Sequence, residues 1–343
     1  MVKEKLNERK KNILSVAVES YIQTSRPVSS RALVENYHLN LSPATIRNEM
    51  VELESLGYFK QPHISAGRVP TDKGYRFYVD NLLKIEKIDK LILSDLNREY
   101  HSQRRNLDEI IRRASKKLAS VTHHTAVVLA PQSAGENLDR IELVATGGKR
   151  ILMLLVSSFG LVDDKFIQVE EPISEEELRE LNLLLNKRNK EALKQSLLGI
   201  KGSSKESFSR LYRKAQRILK EFLKTKGKKK IFLDGTSFFL DEPEFKDREK
   251  IGSLLKSLEK EETFERIFKN SEADEIRILI GRECACKDME DCSIVFASYK
   301  LGNVSVGTVG VIGPKRMDYR KAVALVSSTA KQLTSTINQL AGT

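Results

Sequence analysis

The sequence predicts a multidomain α+β protein, with an N-terminal winged helix-turn-helix followed by an α/β domain that a mostly helical insertion interrupts. Three observations predict this class. Short helical patterns with clear start and stop signals fill residues 1–87, and strand-like runs separated by Gly-containing turns recur in 88–173 and 271–343. The block 174–270 between them is charged and has a mostly helical pattern. A chain of 343 residues has room for roughly two or three such domains.

The stretch 41–58 predicts a helix with one buried and one exposed face. Ser42 followed by Pro43 marks its start, because a serine oxygen can accept a bond from a free backbone N–H and proline tolerates the first helical position. Gly57 marks its end, because glycine readily adopts a positive φ. The apolar residues that recur at helical spacing and define the buried stripe are Ile46, Met50 and Leu53.

The opposite face of this helix predicts contact with DNA. Its side chains are short and able to hydrogen-bond near the helix N-terminus, which is the kind of surface that a major groove accepts. The residues of this face are Ala44, Thr45, Asn48 and Glu52, with Arg47 on its flank. We predict that the DNA-binding residues of the helix are Ser42, Ala44, Thr45, Arg47 and Asn48. The alternative is an ordinary amphipathic surface helix.

The neighbouring segments complete a helix-turn-helix pattern. Residues 8–24 predict an amphipathic helix, which Arg26-Pro27 ends. Ser29 then caps a short helix over 30–37. Short helices joined by a tight turn ahead of a well-capped third helix are typical of DNA-binding proteins.

After Gly57, two extended runs around a Gly-containing turn predict a hairpin, which would be the wing. Lys60 and His63 on this hairpin are expected to meet phosphate, and Arg68 beside the turn can reach a minor groove. A further helix begins near Thr71. Its residues that are expected to seal the module are Tyr75, Phe77, Tyr78 and Val79.

The rest of the chain predicts a sheet that an insertion interrupts. A long helical stretch covers 88–120, and it is expected to pack on a partner helix or to bridge domains. Strand-like runs lie at 126–129, 140–145, 151–157, 165–169, 276–280, 292–299 and 303–312, and a last helix covers 319–340. The predicted domains are 1–87, then 88–173 together with 271–343, and the inserted block 174–270.

The formal net charge of +12 indicates an anionic partner, but the charge is unevenly placed. Residues 1–90 are only mildly basic, whereas the strongest basic run is 201–230. This run also carries an apolar stripe at helical spacing between Phe208 and Phe222. That pattern favours a packing or dimerisation helix whose basic side chains stay in water. Partner docking or weak DNA contact is the alternative.

Enzyme and cofactor motifs are missing from the sequence. There is no P-loop, no dinucleotide-binding glycine motif, no nucleophile elbow and no metalloprotease motif, so we expect no catalytic residues and no cofactor. Three cysteines indicate a reducing compartment, and without a membrane-length apolar run we expect a cytoplasmic protein. Cys284, Cys286 and Cys292 could bind zinc or sense oxidation, but no fourth ligand lies at a familiar spacing.

Three segments also carry a family resemblance. SPATIRNEMVELESLGY, then PHISAGRVPTDKGYRFYVDNL and, far downstream, IGPKRMDY resemble the HrcA family of heat-inducible transcription repressors. The resemblance implies a GAF-like domain that carries an inserted dimerisation domain. It also implies a homodimer that binds an inverted-repeat operator upstream of chaperonin and chaperone genes and represses them. Heat relieves this repression, and the chaperonin GroEL assists the repressor in reaching its active form. A small-molecule-sensing winged-helix regulator is the alternative, although no convergent set of polar residues marks a ligand site.

Overall fold

A computed structural model describes residues 6–37, 39–64, 66–83, 107–131, 138–157, 162–169, 172–186, 213, 230–268 and 276–341. Most of the basic run 201–230 and the first part of the long helical stretch, 88–106, lie outside these ranges. Across the described ranges, no helix has both the length and the apolar content needed to cross a membrane.

The N-terminal region is the predicted winged helix-turn-helix. Its elements are α1 (Glu8–Thr24), α2 (Ser30–Tyr37), α3 (Pro43–Ser55), β1 (Phe59–Lys60), β2 (Val69–Pro70) and α4 (Asp72–Asn81). Side-chain caps begin several of these helices. Asn7 Oδ1 accepts from Lys10 N at 2.8 Å at α1, and Ser29 Oγ accepts from Ala32 N at 3.1 Å at α2. These caps satisfy backbone N–H groups that have no intrahelical partner.

The core of this region joins all four helices with the wing. Its fully buried side chains from α1 to α3 are Ile13, Leu14, Val18, Leu33, Ile46 and Leu53. Tyr58 packs edge to face on Phe77 of α4, with ring centroids 5.4 Å apart. Burial of these apolar surfaces is the main force that holds the short helices together. As expected, α4 closes the module.

The remaining described elements, in chain order, are α5 (Leu107–Thr122), β3 (Thr125–Leu129), β4 (Leu138–Ala145), β5 (Arg150–Ser157), β6 (Val162–Gln168), α6 (Glu175–Asn186), β7 (Ile231–Asp234), α7 (Arg248–Leu258), α8 (Glu261–Ile267), β8 (Arg277–Ile280), β9 (Cys292–Leu301), β10 (Val304–Pro314) and α9 (Tyr319–Ala341). Short 3₁₀ turns follow β7 and β8. The strands form two separate sheets.

The larger sheet has five antiparallel strands in the order β7-β3-β10-β9-β8. One face packs on α5 and α9, and the other packs on α7 and α8. Successive residues of a strand point to opposite faces, so Val128 joins the first core and Val127 the second. A strand that is covered on both sides has to be apolar throughout, which explains the continuous apolar run of β3.

The smaller sheet is the antiparallel meander β4-β5-β6, covered on one face by α6. Two asparagines of α6 bind the backbone of β4. The Asn182 side chain accepts from Leu143 N at 2.6 Å and donates to Leu143 O at 3.0 Å, and Asn186 does the same with Ile141 at 2.7 and 2.6 Å. These bonds occupy backbone groups that an edge strand would otherwise leave open.

This arrangement corrects the expectation of one interrupted sheet. Among the described strands, β4 to β6 pair only with one another, whereas β3 pairs with β10, far along the chain. A second correction concerns β7, which lies inside the block 174–270 that was expected to be helical. A strand of four residues is too short to show a period in the sequence. The domain boundaries themselves stay a prediction.

Candidate nucleic-acid interface

The N-terminus of α3 is built by a serine cap. Ser42 Oγ accepts from Thr45 N at 3.1 Å, and the two hydroxyl oxygens lie 2.9 Å apart. Pro43 occupies the first turn, where no N–H donor is needed. Because its hydroxyl takes part in the cap and its side chain is half-buried, Thr45 lies at the edge of the exposed face. The cap therefore orders the first turn of α3, and the positive end of the helix dipole faces outward.

The exposed face of α3 carries most of the predicted DNA-binding residues. Ser42, Ala44, Arg47 and Asn48 are all exposed. Val51, which is not among the predicted DNA-binding residues, is 46% exposed on the same face. The signal was present in the sequence, since Val51 is an apolar residue off the stripe that the buried apolar residues define.

Two acidic residues of α3, Glu49 and Glu52, pair with basic residues of α1. Lys10 of α1 lies 3.1 Å from Glu49 and 2.8 Å from Glu52, and Arg9 lies 3.4 Å from Glu49. The hydrogen bonds that Lys10 donates to Glu52 and then to Glu49 raise the pKa of Lys10. Carboxylates near a phosphate backbone would repel it, so this pairing on the flank lowers the repulsion. Glu52, expected on the exposed face, is exposed there, with 61% of its side chain accessible, and it pairs with Lys10.

The wing is a short hairpin whose turn is bonded by a side chain at the end of its first strand. β1 and β2 pair with Lys60 opposite Val69. Gln61 Nε2 donates to the carbonyl oxygens of Ile64 and Ala66 at 2.8 and 3.0 Å, and these bonds fold the turn. Lys60 and His63 are exposed. Their placement on the surface is compatible with the predicted phosphate contacts, which stay a prediction.

Arg68 lies at the base of the wing and has a protein partner. Its backbone N–H and C=O bond to Val28, each at 2.8 Å, which ties the wing to the start of α2. Its Nε lies 2.7 Å from Glu54 Oε2 at the end of α3, and only 16% of the side chain is exposed. In this arrangement Arg68 fixes the wing against α3. The predicted minor-groove contact therefore stays a prediction, which would require the Glu54 pair to open.

The opposite side of the winged helix binds the body of the protein. Arg76 of α4 donates to Glu283 from Nε at 3.0 Å and to the carbonyl oxygen of Ile278 at 2.6 Å. Lys315 lies 2.9 Å from Asp72 and 3.3 Å from Asp291. Burial would lower the pKa of Lys315, but the hydrogen bond and charge of Asp72 and the charge of Asp291 raise it.

The segment IGPKRMDY, which helped to carry the resemblance, forms the body's side of this contact. Lys315 meets Asp72, and Tyr319 packs near Tyr75 with ring centroids 6.1 Å apart. Between them, Arg316 pairs with Glu242 and Glu244 inside the body. The segment thus joins the winged helix to the larger sheet.

The cysteines are placed as buried thiols. Cys284 and Cys292 are fully buried and Cys286 is half-buried, and all three are free. Burial, followed by the charge of Glu283, raises the pKa of Cys284 to about 12, and burial raises that of Cys292 as well. A protonated thiol is a poor nucleophile and a poor metal ligand. Among the described residues, no group of three or more His, Cys, Asp or Glu is arranged to hold a metal ion.

Two family models match this chain. The model described as "Winged helix-turn-helix transcription repressor, HrcA DNA-binding" matches residues 5–83, and "HrcA protein C terminal domain" matches residues 108–323. The heat-inducible transcription repressor HrcA of Symbiobacterium thermophilum is 35% identical over 340 residues, which cover 98% of this chain and 99% of that protein. The protein of the same name from Geobacter sulfurreducens is 37% identical over 331 residues, covering 95% and 96%.

A solved structure is similar over the same length. The crystal structure of a hypothetical protein at 2.2 Å resolution is 27% identical, with a TM-score of 0.65 over 98% of this chain and 100% of that one. The predicted fold class is thus confirmed, with a winged helix followed by a GAF-like α/β domain.

Proposed function

The chain belongs to the HrcA family of heat-inducible transcription repressors, and from this premise we propose that it represses chaperonin and chaperone genes as a homodimer bound to an inverted-repeat operator. The observation that carries the DNA contact is the exposed face of α3. It presents Arg47 and Asn48 beside a serine-capped N-terminus, while the neighbouring acidic residues are paired with α1. Asparagine and arginine are the side chains that pair with adenine and guanine in the major groove.

In this proposal the module divides its contacts by chemistry. The exposed face of α3 enters the major groove and reads base edges, and Ser42 and Thr45 at the N-terminus meet the flanking phosphates. Lys60 and His63 on the wing contact the backbone and set the register. The body holds the module through α4, on the side away from this face.

The smaller sheet supports the proposed homodimer. Val144, Leu152 and Phe166 lie in one cross-strand row over β4, β5 and β6. Val144 is 40% and Phe166 is 58% exposed, on the face opposite the core with α6. An exposed apolar row of this kind is stabilised by contact with a partner surface. A second copy of the chain related by two-fold symmetry would match the symmetry of an inverted repeat.

Regulation follows from the same proposal. A bound dimer blocks transcription by occupying the promoter, and heat relieves the block when it lowers the fraction of active dimer. The chaperonin GroEL assists the return of the repressor to its active form. In this proposal the protein acts in the cytoplasm, where it meets both the chaperonin and the DNA. Family membership is the support for this step. No feature of the described residues favours the small-molecule-sensing alternative over it.

The experiment measures the affinity of the full chain for duplexes by fluorescence anisotropy. One duplex carries an inverted repeat from the region upstream of the cell's own chaperonin genes, and the other has both half-sites scrambled. We expect Asn48→Ala to lower the discrimination between them by about 1–3 kcal/mol, since a bidentate contact to a base is lost. Asn12→Ala, on the exposed side of α1, is the matched control and is expected to leave discrimination unchanged.

Two outcomes would count against the proposal. Equal affinity of the parent chain for both duplexes would remove sequence-specific operator binding. An equal loss of specific and non-specific affinity in Asn48→Ala would remove the base-reading role of that residue. Light scattering of the free chain at the same concentrations tests the homodimer separately, since a monomer that discriminates the operator would overturn only that part.

A further inference from the structure

We propose that Val51 reads the methyl group of a thymine in the major groove and so adds a specificity contact to α3. The inference rests on the proposed function, because it needs α3 to lie in the groove. It concerns a branched apolar residue that is exposed in the middle of the helix face that carries Ala44, Arg47 and Asn48.

The position of Val51 follows from helix geometry. An α-helix turns by about 100° per residue, so residue 51 lies roughly 20° from Ala44 in helical projection. On the same scale Arg47 lies about 60° to one side of Ala44, and Asn48 lies about 40° to the other. Val51 is therefore central to the exposed face, between the arginine and the asparagine. The buried residues Ile46 and Leu53 lie on the opposite side.

Folding gives no reason for a valine at this position. A β-branched residue lowers helix propensity relative to alanine, and 46% of this one remains exposed. Single exposed apolar residues are common on protein surfaces. What distinguishes Val51 is its place beside Arg47 and Asn48 on the face that carries the predicted base contacts. The nearby charge of Glu52 is paired with Lys10 at 2.8 Å.

The chemistry of the groove identifies the partner of this side chain. The C5-methyl of thymine is the apolar group on the major-groove edges of the bases, and aliphatic side chains contact it. Val51 lies about 4.5 Å further along the helix axis than Asn48, comparable with the spacing of about 3.4 Å between successive bases of a strand. Asn48 and Val51 can thus reach neighbouring base pairs, with Asn48 on an adenine and Val51 on a thymine.

The experiment separates the methyl group from every other property of the base. The full chain first selects its preferred site from a pool of random duplexes, and that selected duplex is the probe. Each thymine in it is then replaced by deoxyuridine, which removes only the methyl. For the parent chain, we expect one thymine in each half-site at which this replacement weakens binding by about 3- to 10-fold, of the order expected for one buried methyl.

The variant Val51→Ala, combined with the deoxyuridine replacement, completes a double-mutant cycle. The variant should bind the unmodified duplex about 3- to 10-fold more weakly, and deoxyuridine at that same thymine should cause no further loss. Alanine favours a helix more than valine does, so the fold of α3 is retained. Val51→Thr, which keeps one methyl in the same branched shape, is expected to retain part of the methyl dependence.

The outcomes distinguish the inference from its premise. If the chain enriches a site but the parent and Val51→Ala respond alike to deoxyuridine at every thymine, the thymine contact is overturned while the proposed function stands. If no sequence is enriched at all, the proposed operator recognition fails, and the contact fails with it.

Discussion

The winged helix has two functional sides that differ in how they are stabilised. The outward side, formed by the exposed face of α3 and the tip of the wing, presents short polar residues and Val51 to solvent. The inward side, formed mainly by α4, meets the body through a buried aromatic contact rimmed by ion pairs. Changes on the inward side should therefore act on stability, whereas changes on the outward side should act on DNA recognition.

The inward side shows why such a contact resists change. Tyr75 is 2% exposed and packs near Tyr319 of the body. Beside it, Gly281 has a φ of +57°, and a Cβ at this position would lie 2.3 Å from Asp72 Oδ2. Close packing of this kind leaves no room for a larger residue, and the loss of a buried ring leaves a cavity.

The largest expected effect is that of Tyr75→Ala. Removal of a buried aromatic ring at this contact should lower the free energy of unfolding by about 3–5 kcal/mol. Urea unfolding of the full chain measures the loss, and anisotropy at a temperature where the variant is folded should show normal operator discrimination. A stable Tyr75→Ala chain that cannot discriminate its operator would break the separation of the two sides.

Tyr75→Phe is the matched control for that variant. The buried hydroxyl of Tyr75 has no hydrogen-bond partner within the described ranges. Its removal therefore leaves no group unpaired, and stability should stay the same or rise by up to about 1 kcal/mol. A clear loss of stability in Tyr75→Phe would show that the hydroxyl has a partner, and the ring alone would no longer explain the contact.

Gly281→Ala is expected to have the next largest effect. The left-handed backbone conformation costs an alanine about 1–2 kcal/mol, and the close approach of Asp72 adds to this cost. Gly252→Ala, in the helix α7 with nothing within 4 Å of the added Cβ, should instead stabilise the chain by up to about 1 kcal/mol. Urea unfolding of the two variants measures the contrast. Gly281→Ala should cause a smaller loss in an Asp72→Ala background than in the parent, and an equal loss in both would place the cost in the backbone alone.

The outward side could be predicted from the sequence more completely than the inward side. The start of α3 at Pro43 and its cap at Ser42 both depend on signals within a few residues. The glycine turn at Gly57, with a φ of +80°, is equally local. Local signals fix such features because the interacting atoms are close in the chain.

Contacts between distant segments could not be predicted in the same way. Arg76 meets Glu283 across 207 residues, and nothing near either residue indicates the other. The runs at β3 and β4 looked alike as strands, yet they belong to different sheets. Pairing of strands depends on packing of the whole chain, and a single sequence does not display it.

In the candidate site, too, the exposure of side chains could be predicted from the sequence, whereas their partners could not. The exposed positions of Arg47 and Asn48 followed from helical periodicity. The pairing of Arg68 with Glu54 did not, because an arginine beside a turn is compatible with either a phosphate or a carboxylate partner. Arg68 therefore has two alternative roles, which are to bind DNA or to position the wing within the protein.

The smallest expected effect therefore comes from Arg68→Ala compared with Glu54→Gln. If Arg68 positions the wing, both variants remove the same ion pair and should weaken operator binding alike, by about 1 kcal/mol or less for a partly exposed pair. The slope of log affinity against log salt should then stay as in the parent, since no phosphate contact is lost. If Arg68 leaves Glu54 to meet a phosphate, Arg68→Ala should reduce that slope by about 0.9, while Glu54→Gln frees the arginine and should tighten binding. Opposite signs for the two variants would place Arg68 on the recognition side of the module.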